Sequence, residues 1–288
     1  MIIRPALYDD IPLIAVWTQD TFNWGDYVAD ALPEWLDNPA SQVIVAEEDG
    51  AVNATVTGTM VSPNELWAQG VRVHTDHRRR GIATAVSNAL WQWGGEQGAV
   101  IARLAIDATN TASEAQATSM GFHKVSDWGR GERIIGEGSP VPEGNGGRRV
   151  PPPERLEVAH SGEAEPAYLS WSTGELARAA HGLLPIGWVW RRMTADHLVL
   201  AARTRGLHEG RPGWAIAEVD EEDNMLVVHW METTRDDAVA MARALVDLAA
   251  EARVGEMRIW VPTVEWLEAA FLRLGFEFHR VGVWAREI

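Results

Sequence analysis

Apolar positions in the first 136 residues change period repeatedly, and each change marks an element. Ile2-Ile3-Arg4-Pro5-Ala6 reads as a strand. Asp9 and Asp10 stand before Ile11, Leu13, Ile14 and Trp17, the spacing of an N-capped amphipathic helix. Trp24 to Trp35 predicts a second helix, and Gln42 to Ala46 a strand. Glu48-Asp49-Gly50 is a turn, since glycine accepts positive φ. Val52 to Ser62 and Glu65 to Thr75 predict two long strands. Ile82, Val86, Leu90 and Trp93 recur at helical spacing over 82–97, and Ala102 to Ile106 is the next strand. A short helix after Asn110 ends at Gly121, and Phe122 opens a strand.

The order then recurs. Residues 138–154 are rich in proline and glycine without periodicity, a linker composition. Beyond it, Trp214 to Val219, a turn at Asp220 to Asn224, and Met225 to Glu232 form a hairpin pattern. Asp236 to Arg253 is an amphipathic helix and Arg258 to Val261 a strand. Val264 to Leu274 is a helix that ends in Gly275-Phe276, before a closing strand at Phe278 to Trp284. Met120-Gly-Phe-His-Lys-Val125 matches Leu274-Gly-Phe-Glu-Phe-His279 in outline. The expected layout is α/β (α+β), with one domain at 1–137, a linker at 138–154 and a weak repeat of the first domain at 155–288.

The segment Val71-Arg-Val-His-Thr-Asp-His-Arg-Arg-Arg-Gly-Ile-Ala-Thr84 carries the strongest chemical signal. It runs from an alternating strand into three arginines, a glycine and a helix start. Cations are misplaced at a helix N-terminus, where the macrodipole is positive. Arg78, Arg79 and Arg80 there imply an anion to hold, and the amides that open a helix are a ready phosphate site. Gly81 lets backbone approach closely. The segment lacks the second glycine and the Lys-Ser/Thr pair of a Walker loop, and the glycines of the Rossmann fingerprint.

Arg78-x-x-Gly81-x-Ala83 resembles the acetyl-CoA pyrophosphate loop of the GNAT acetyltransferase superfamily. The helix from Asn110 to Gly121-Phe122 resembles that family's second signature. The resemblance implies two tandem GNAT-like domains, each a mixed, mostly antiparallel sheet flanked by helices. It implies acetyl-CoA as co-substrate and transfer of an acetyl group to an amine, with CoA as product. Val71, Arg72 and Val73 would polarise the thioester and line the cofactor. Arg78, Arg79, Arg80, Gly81, Ile82, Ala83 and Thr84 would hold the pyrophosphate. Asn110 and Ser113 would touch the pantetheine arm and phosphates. Trp24 and Trp67 fall in the regions that line the acceptor side. Glu65, Trp67 and Gln69 share a strand face by alternation, so Glu65 or Gln69 could serve an amine proton directly or through water. His74 and His77 are alternatives on the cofactor side. Ala117 stands where many members carry a tyrosine that protonates the leaving thiolate. That departure keeps a second reading open, a non-catalytic acetyl-CoA-binding regulatory module.

The second half repeats the elements without the loop. Met231-Glu-Thr-Thr-Arg-Asp-Asp237 has no glycine and no arginine cluster, and its carboxylates would repel a pyrophosphate. A working half beside a degenerate one is a layout found in tandem members of the family, mycothiol synthase among them.

Composition narrows the partners. The 288 residues carry 25 Lys and Arg against 41 Asp and Glu, a net charge of −16, which disfavours nucleic acid and suits a cationic small-molecule or peptide amine acceptor. There is no cysteine, and the nine histidines show no metal spacing, so no metal is expected. No apolar run reaches membrane length and no leader pattern opens the chain, so a cytoplasmic protein without a membrane partner is expected. A homodimer is left open. Fifteen tryptophans against three tyrosines point to many core or interface anchors.

Overall fold

Residues 1–19, 21, 25–136 and 154–288 are described by the structure, a computed structural model. They form two compact units. The first unit takes Met1–Ala105, Ala112–His123 and Trp284–Ile288; the second takes Ile106–Thr111 and Lys124–Val283. The strand that follows Phe122 therefore packs almost entirely in the second unit, and the last five residues of the chain pack in the first.

The first unit runs β1 (Ile2–Pro5), α1 (Ile11–Thr18), α2 (Val28–Asp37), β2 (Ser41–Glu48), β3 (Ala51–Ser62), β4 (Glu65–Val73), α3 (Ile82–Glu96), the start of β5 (Ile101–Asp107) and α4 (Thr111–Ser119). β1 to β4 pair antiparallel in chain order, and β5 joins β4 in parallel. Asp49 and Gly50, at φ 54° and 79°, make the tight turn between β2 and β3. One face of the sheet is covered by α1 and α2, through Ile14, Val28, Leu32 and Trp35 against Val43 and Val45. The other face holds α3. Gly58 is needed there, because a Cβ at that position would lie 2.7 Å from Leu90 of α3.

Asp10 was expected to cap α1 and does not. Its carboxylate instead takes both terminal nitrogens of Arg4, at 2.7 and 2.8 Å, and the Leu7 amide at 2.7 Å. The Arg4 contact holds the Asp10 carboxyl below its ordinary range. α4 closes as expected: Gly121 has φ 82°, and the Phe122 amide reaches back to the Ala117 carbonyl at 3.0 Å.

The second unit contains most of β6 (His123–Ile134), then β7 (Glu157–Val158), α5 (Ala164–Thr173), α6 (Glu175–Ala179), β8 (Leu183–Ile186), β9 (Val189–Arg192), α7 (Ala195–Arg203), β10 (Leu207–Gly210), β11 (Gly213–Asp220), β12 (Met225–Glu232), α8 (Ala238–Ala252), β13 (Glu256–Pro262), α9 (Glu265–Leu272) and most of β14 (Glu277–Glu287). β7, β10, β11 and β12 pair antiparallel in that spatial order. β13 joins β12 in parallel, and β6 joins β13 antiparallel. β8 and β9 form a separate hairpin. The hairpin–helix–parallel strand–helix order of β3, β4, α3, β5 and α4 thus recurs as β11, β12, α8, β13 and α9. The long helices α3 and α8 both have 15 residues, and Gly275 repeats the 82° φ of Gly121. The predicted elements from 214 onward are all present. The seven elements between 154 and 212 went unread.

Candidate functional site

The chemistry-bearing geometry of the first unit starts in β4. Its pairing with β3 is interrupted: Thr57 faces Gln69 and Thr55 faces Arg72, so Gly70 and Val71 together oppose one residue. This is a β-bulge, and Gly70 serves it at φ 66°. The bulge reverses the alternation. Leu66, before it, packs toward Leu90 of α3. Gly70 and Arg72, at and beyond it, face the α2 side, where a Cβ on Gly70 would meet Trp35 at 3.0 Å and Arg72 meets Asp26. On its other edge β4 pairs with β5 only at Glu65, Leu66 and Trp67. From Ala68 onward the two parallel strands diverge. A bulge beside a parted pair of parallel strands leaves backbone amides pointing into a cleft, where they can meet a carbonyl oxygen.

The chain leaves β4 into a loop with two left-handed residues, Arg79 at φ 62° and Gly81 at φ 77°. Alternation of this kind gathers successive N–H groups into a concavity that suits anions. Gly81 precedes the first turn of α3, whose first intrahelical bond runs from the Ala85 amide to the Gly81 carbonyl at 3.0 Å. The amides of Ile82, Ala83 and Thr84 thus open the helix. Arg78, Arg79 and Arg80 are all exposed. Arg78 is steadied by the Val73 carbonyl, at 3.2 Å from its Nε. Arg80 is steadied by Glu48 at 3.0 Å and by His77 Nδ1 at 2.9 Å. A Cβ on Gly81 would meet nothing within 4 Å, so its requirement is the φ and not space.

Comparison with known proteins fits this geometry. Residues 12–122 match the model of the Acetyltransferase (GNAT) family. These residues are similar to a GNAT acetyltransferase domain. Over its whole length the chain shares its fold with a GCN5-related N-acetyltransferase from Sphaerobacter thermophilus, at TM-score 0.66 and 17% identity, covering 99% of this chain and 95% of that one. It also shares it with a tandem GNAT protein from the clavulanic acid biosynthesis pathway, at TM-score 0.57 and 16% identity, covering 99% and 98%. No curated protein matches the chain. The loop and the bulge offer an exposed cationic concavity at one end and strand amides at the other. Among the described residues no group of three side chains could hold a metal, and no helix is long and apolar enough to cross a membrane.

Other expected site residues of the first unit are placed less simply. Arg72 does not present its guanidinium to a ligand. Nε and Nη2 clasp Asp26, at 2.5 and 3.0 Å, and the group lies 5.5 Å from the Tyr27 ring centre. Glu65 lies five residues before Gly70, roughly 16 Å along the strand. It is 4% exposed and paired with Arg103, also buried, at 2.5 Å. The arrangement is that of a structural ion pair, in which a carboxylate is poorly placed to take a proton at the bulge. Trp67 is 2% exposed, and its indole N–H points to Gln69 Oε1 at 3.4 Å, which confirms the shared face. Gln69, half-buried, sits next to the bulge. Asn110 immediately precedes α4, and Ser113 lies in its first turn, half-buried. Ala117 is a core residue. Trp24 and most of the expected linker, 138–153, lie outside the described residues.

Two residues were missed. Asp26 has a fully buried side chain and anchors Arg72. Tyr27 lies beside Arg72 and the Gly70 amide, at the bulge itself. Burial pushes its hydroxyl above the ordinary tyrosine value, against the opposing pull of Arg72. Opposite Gln69 and Arg72, the hydroxyls of Thr57 and Thr55 are buried without a protein partner among the described residues.

The second unit keeps the scaffold and changes the chemistry. Ile216 faces Trp230 while Ala217 faces Val228, so His229 is the extra residue of a bulge in β12. β12 and β13 pair only from Met225/Glu256 to Val228/Ile259. The loop that follows has no residue with positive φ between 230 and 238. Thr234 and Asp237 bond each other at 2.8 Å. Glu232 is buried and accepts from Ser170 at 2.9 Å, and burial raises its pKa.

Proposed function

We propose that residues 1–137 transfer an acetyl group from acetyl-CoA to an amine of a small molecule or peptide, in the cytoplasm, and that residues 155–288 bind no acetyl-CoA. One observation carries the reading: the bulge at Gly70–Val71, the divergence of β4 from β5, and the Arg79–Gly81 loop at the start of α3 occur in one unit. Arg78 to Thr84 would hold the pyrophosphate, the backbone of Val71 to Val73 the thioester, and Asn110 and Ser113 the pantetheine arm. Acetyl-CoA supplies an activated acyl group. The chain's own residues must orient the amine and dispose of its proton.

A lysine-like amine is about 3.4 pKa units too basic at pH 7, a penalty of roughly 4.6 kcal/mol for presenting it neutral. Gln69 and the buried hydroxyls of Thr55 and Thr57 support a water at the bulge that would accept the proton, since buried hydroxyls without protein partners take water. A relay from Glu65 would have to run along the face of Trp67 and Gln69. Trp67 would then act on the acceptor by holding Gln69, with Trp24 as the other acceptor-side aromatic. Tyr27 would be the phenol to replace the tyrosine absent at Ala117, as a weaker acid than usual because burial raises its pKa. The thiolate is a tolerable leaving group without it.

Mixing the protein with acetyl-CoA and an amine panel, with free thiol as readout, tests the proposal. Thiol release with at least one amine supports it. Binding without turnover on any amine supports the non-catalytic module instead, the reading that the alanine at 117 favours.

A further inference from the structure

The second unit has a cavity of about 340 Å³ whose walls belong to no part of the acetyl-CoA site. Gly187 and Trp188 form the tip of the β8–β9 hairpin, with Gly187 at φ 59°. They close over β11, β12 and β13, which contribute Glu218, Asp220, His229, Arg258 and Trp260. The volume falls in the range of small-molecule sites. Trp188 is 43% exposed, which leaves part of its ring open to the cavity. Its ring stands edge-on to Trp260, with centroids 4.9 Å apart and an 80° angle between planes.

Two carboxylates stand among the polar groups of the cavity. Glu218 and Asp220 are paired with no lysine or arginine among the described residues. The nearest cationic candidate to Glu218 is His229 Nε2, at 3.9 Å. Burial holds His229 neutral, with its pKa lowered to about 4, and its Nδ1 has no hydrogen-bond partner among the described residues. Arg258, the one cation in the lining, is paired with Glu132 at 2.8 Å, a carboxylate it shares with Arg130 at 3.3 Å, so Glu218 and Asp220 are the two remaining negative charges beside these two arginines. The Arg130 guanidinium lies 5.2 Å from the Trp188 ring centre, so this ring already meets a cation on the protein's side. Aromatic faces with uncompensated carboxylates are the chemistry that holds an alkylated ammonium group.

We propose that this cavity is a binding site for a small organic cation of the alkylammonium class, with Trp188 and Trp260 against the alkyl groups and Glu218 and Asp220 supplying the counter-charge. The site stands independently of acetyl transfer in the first half, and its test contains no acetyl-CoA.

Titration of the full chain with choline, followed calorimetrically and by ligand-observed NMR, decides the matter. Choline should bind saturably. Its neutral isostere 3,3-dimethylbutan-1-ol should bind at least about tenfold more weakly, the size expected for a partly desolvated cation on an aromatic face. Trp188→Ala should weaken choline by about tenfold or more. Because that variant alters a hairpin, the double variant Glu218→Gln/Asp220→Asn, at exposed carboxylates, provides a second reading and should weaken choline similarly. No saturation into the tens of millimolar, equal binding of the isostere, or unchanged affinity in both folded variants would each overturn the proposal.

Discussion

β4 and β12 occupy the same place in their units, each bulged and each parted from a parallel neighbour, yet they end in opposite electrostatics. At the first bulge stands Gly70, followed by three exposed arginines and two left-handed residues. At the second stands His229, followed by a buried Glu232 and a Thr234–Asp237 contact with ordinary backbone. The scaffold is therefore separable from the ligand. Strand order, bulge and helix length specify a cleft, and a handful of loop residues decide what enters it.

The largest effect should come from the start of the strands, where β4 carries a buried ion pair and β12 begins with the apolar Met225. Glu65→Gln leaves Arg103 buried without its counter-charge, which typically costs about 3–5 kcal/mol. Urea unfolding should show it. If Glu65 also relays the amine proton, kcat should fall at least about threefold at neutral pH and recover as pH rises. A stability loss with unchanged kcat would leave the ion pair as its only role.

The second effect concerns the two bulges, of which only that of β12 carries a titratable side chain. The folded pKa of His229 is depressed to about 4 from an ordinary 6.5. The unfolded chain therefore takes up a proton that the folded chain refuses. Its contribution to stability is complete above about pH 6.5 and is lost as pH falls toward 4, on the order of 2 kcal/mol between pH 7 and pH 5. His229→Gln should remove that share of the slope, while His208, also depressed by burial, keeps its own. An identical slope in the variant would show that His229 titrates normally.

The third contrast lies in the loops. Gly81→Val forces a β-branched residue to φ 77° and should weaken acetyl-CoA binding well over tenfold with α3 still formed by circular dichroism. Unchanged affinity would remove the loop from the site. Smallest of all, Asp236→Asn/Asp237→Asn should change acetyl-CoA affinity by less than about twofold, because removing repulsion does not create the left-handed turn that holds phosphate.

Sequence reading went furthest where the signal was local. The β11–β12 hairpin, α3, α8 and the paired Gly121-Phe122 and Gly275-Phe276 endings all lie within single windows of periodicity, and all are in the structure. Gly81 was legible as a special position, but for close backbone approach; in the structure it is the left-handed φ of 77° that calls for glycine. Contacts between distant residues were not legible. Asp26 with Arg72 and Glu65 with Arg103 join residues 46 and 38 apart, and alternation gives a face without naming its partner. Between 154 and 212, strands of two to four residues and a five-residue helix are too short to show a period. The cavity beside Trp188 depends on one of these short elements, the β8–β9 hairpin, meeting three strands far from it in sequence.

The central claim, that one unit binds acetyl-CoA and the other has lost the means, is tested most directly by a calorimetric titration of the intact chain with acetyl-CoA. The account predicts one site per chain, abolished or weakened well over tenfold by Gly81→Val. A stoichiometry near two, or one site that Gly81→Val leaves intact, would contradict it.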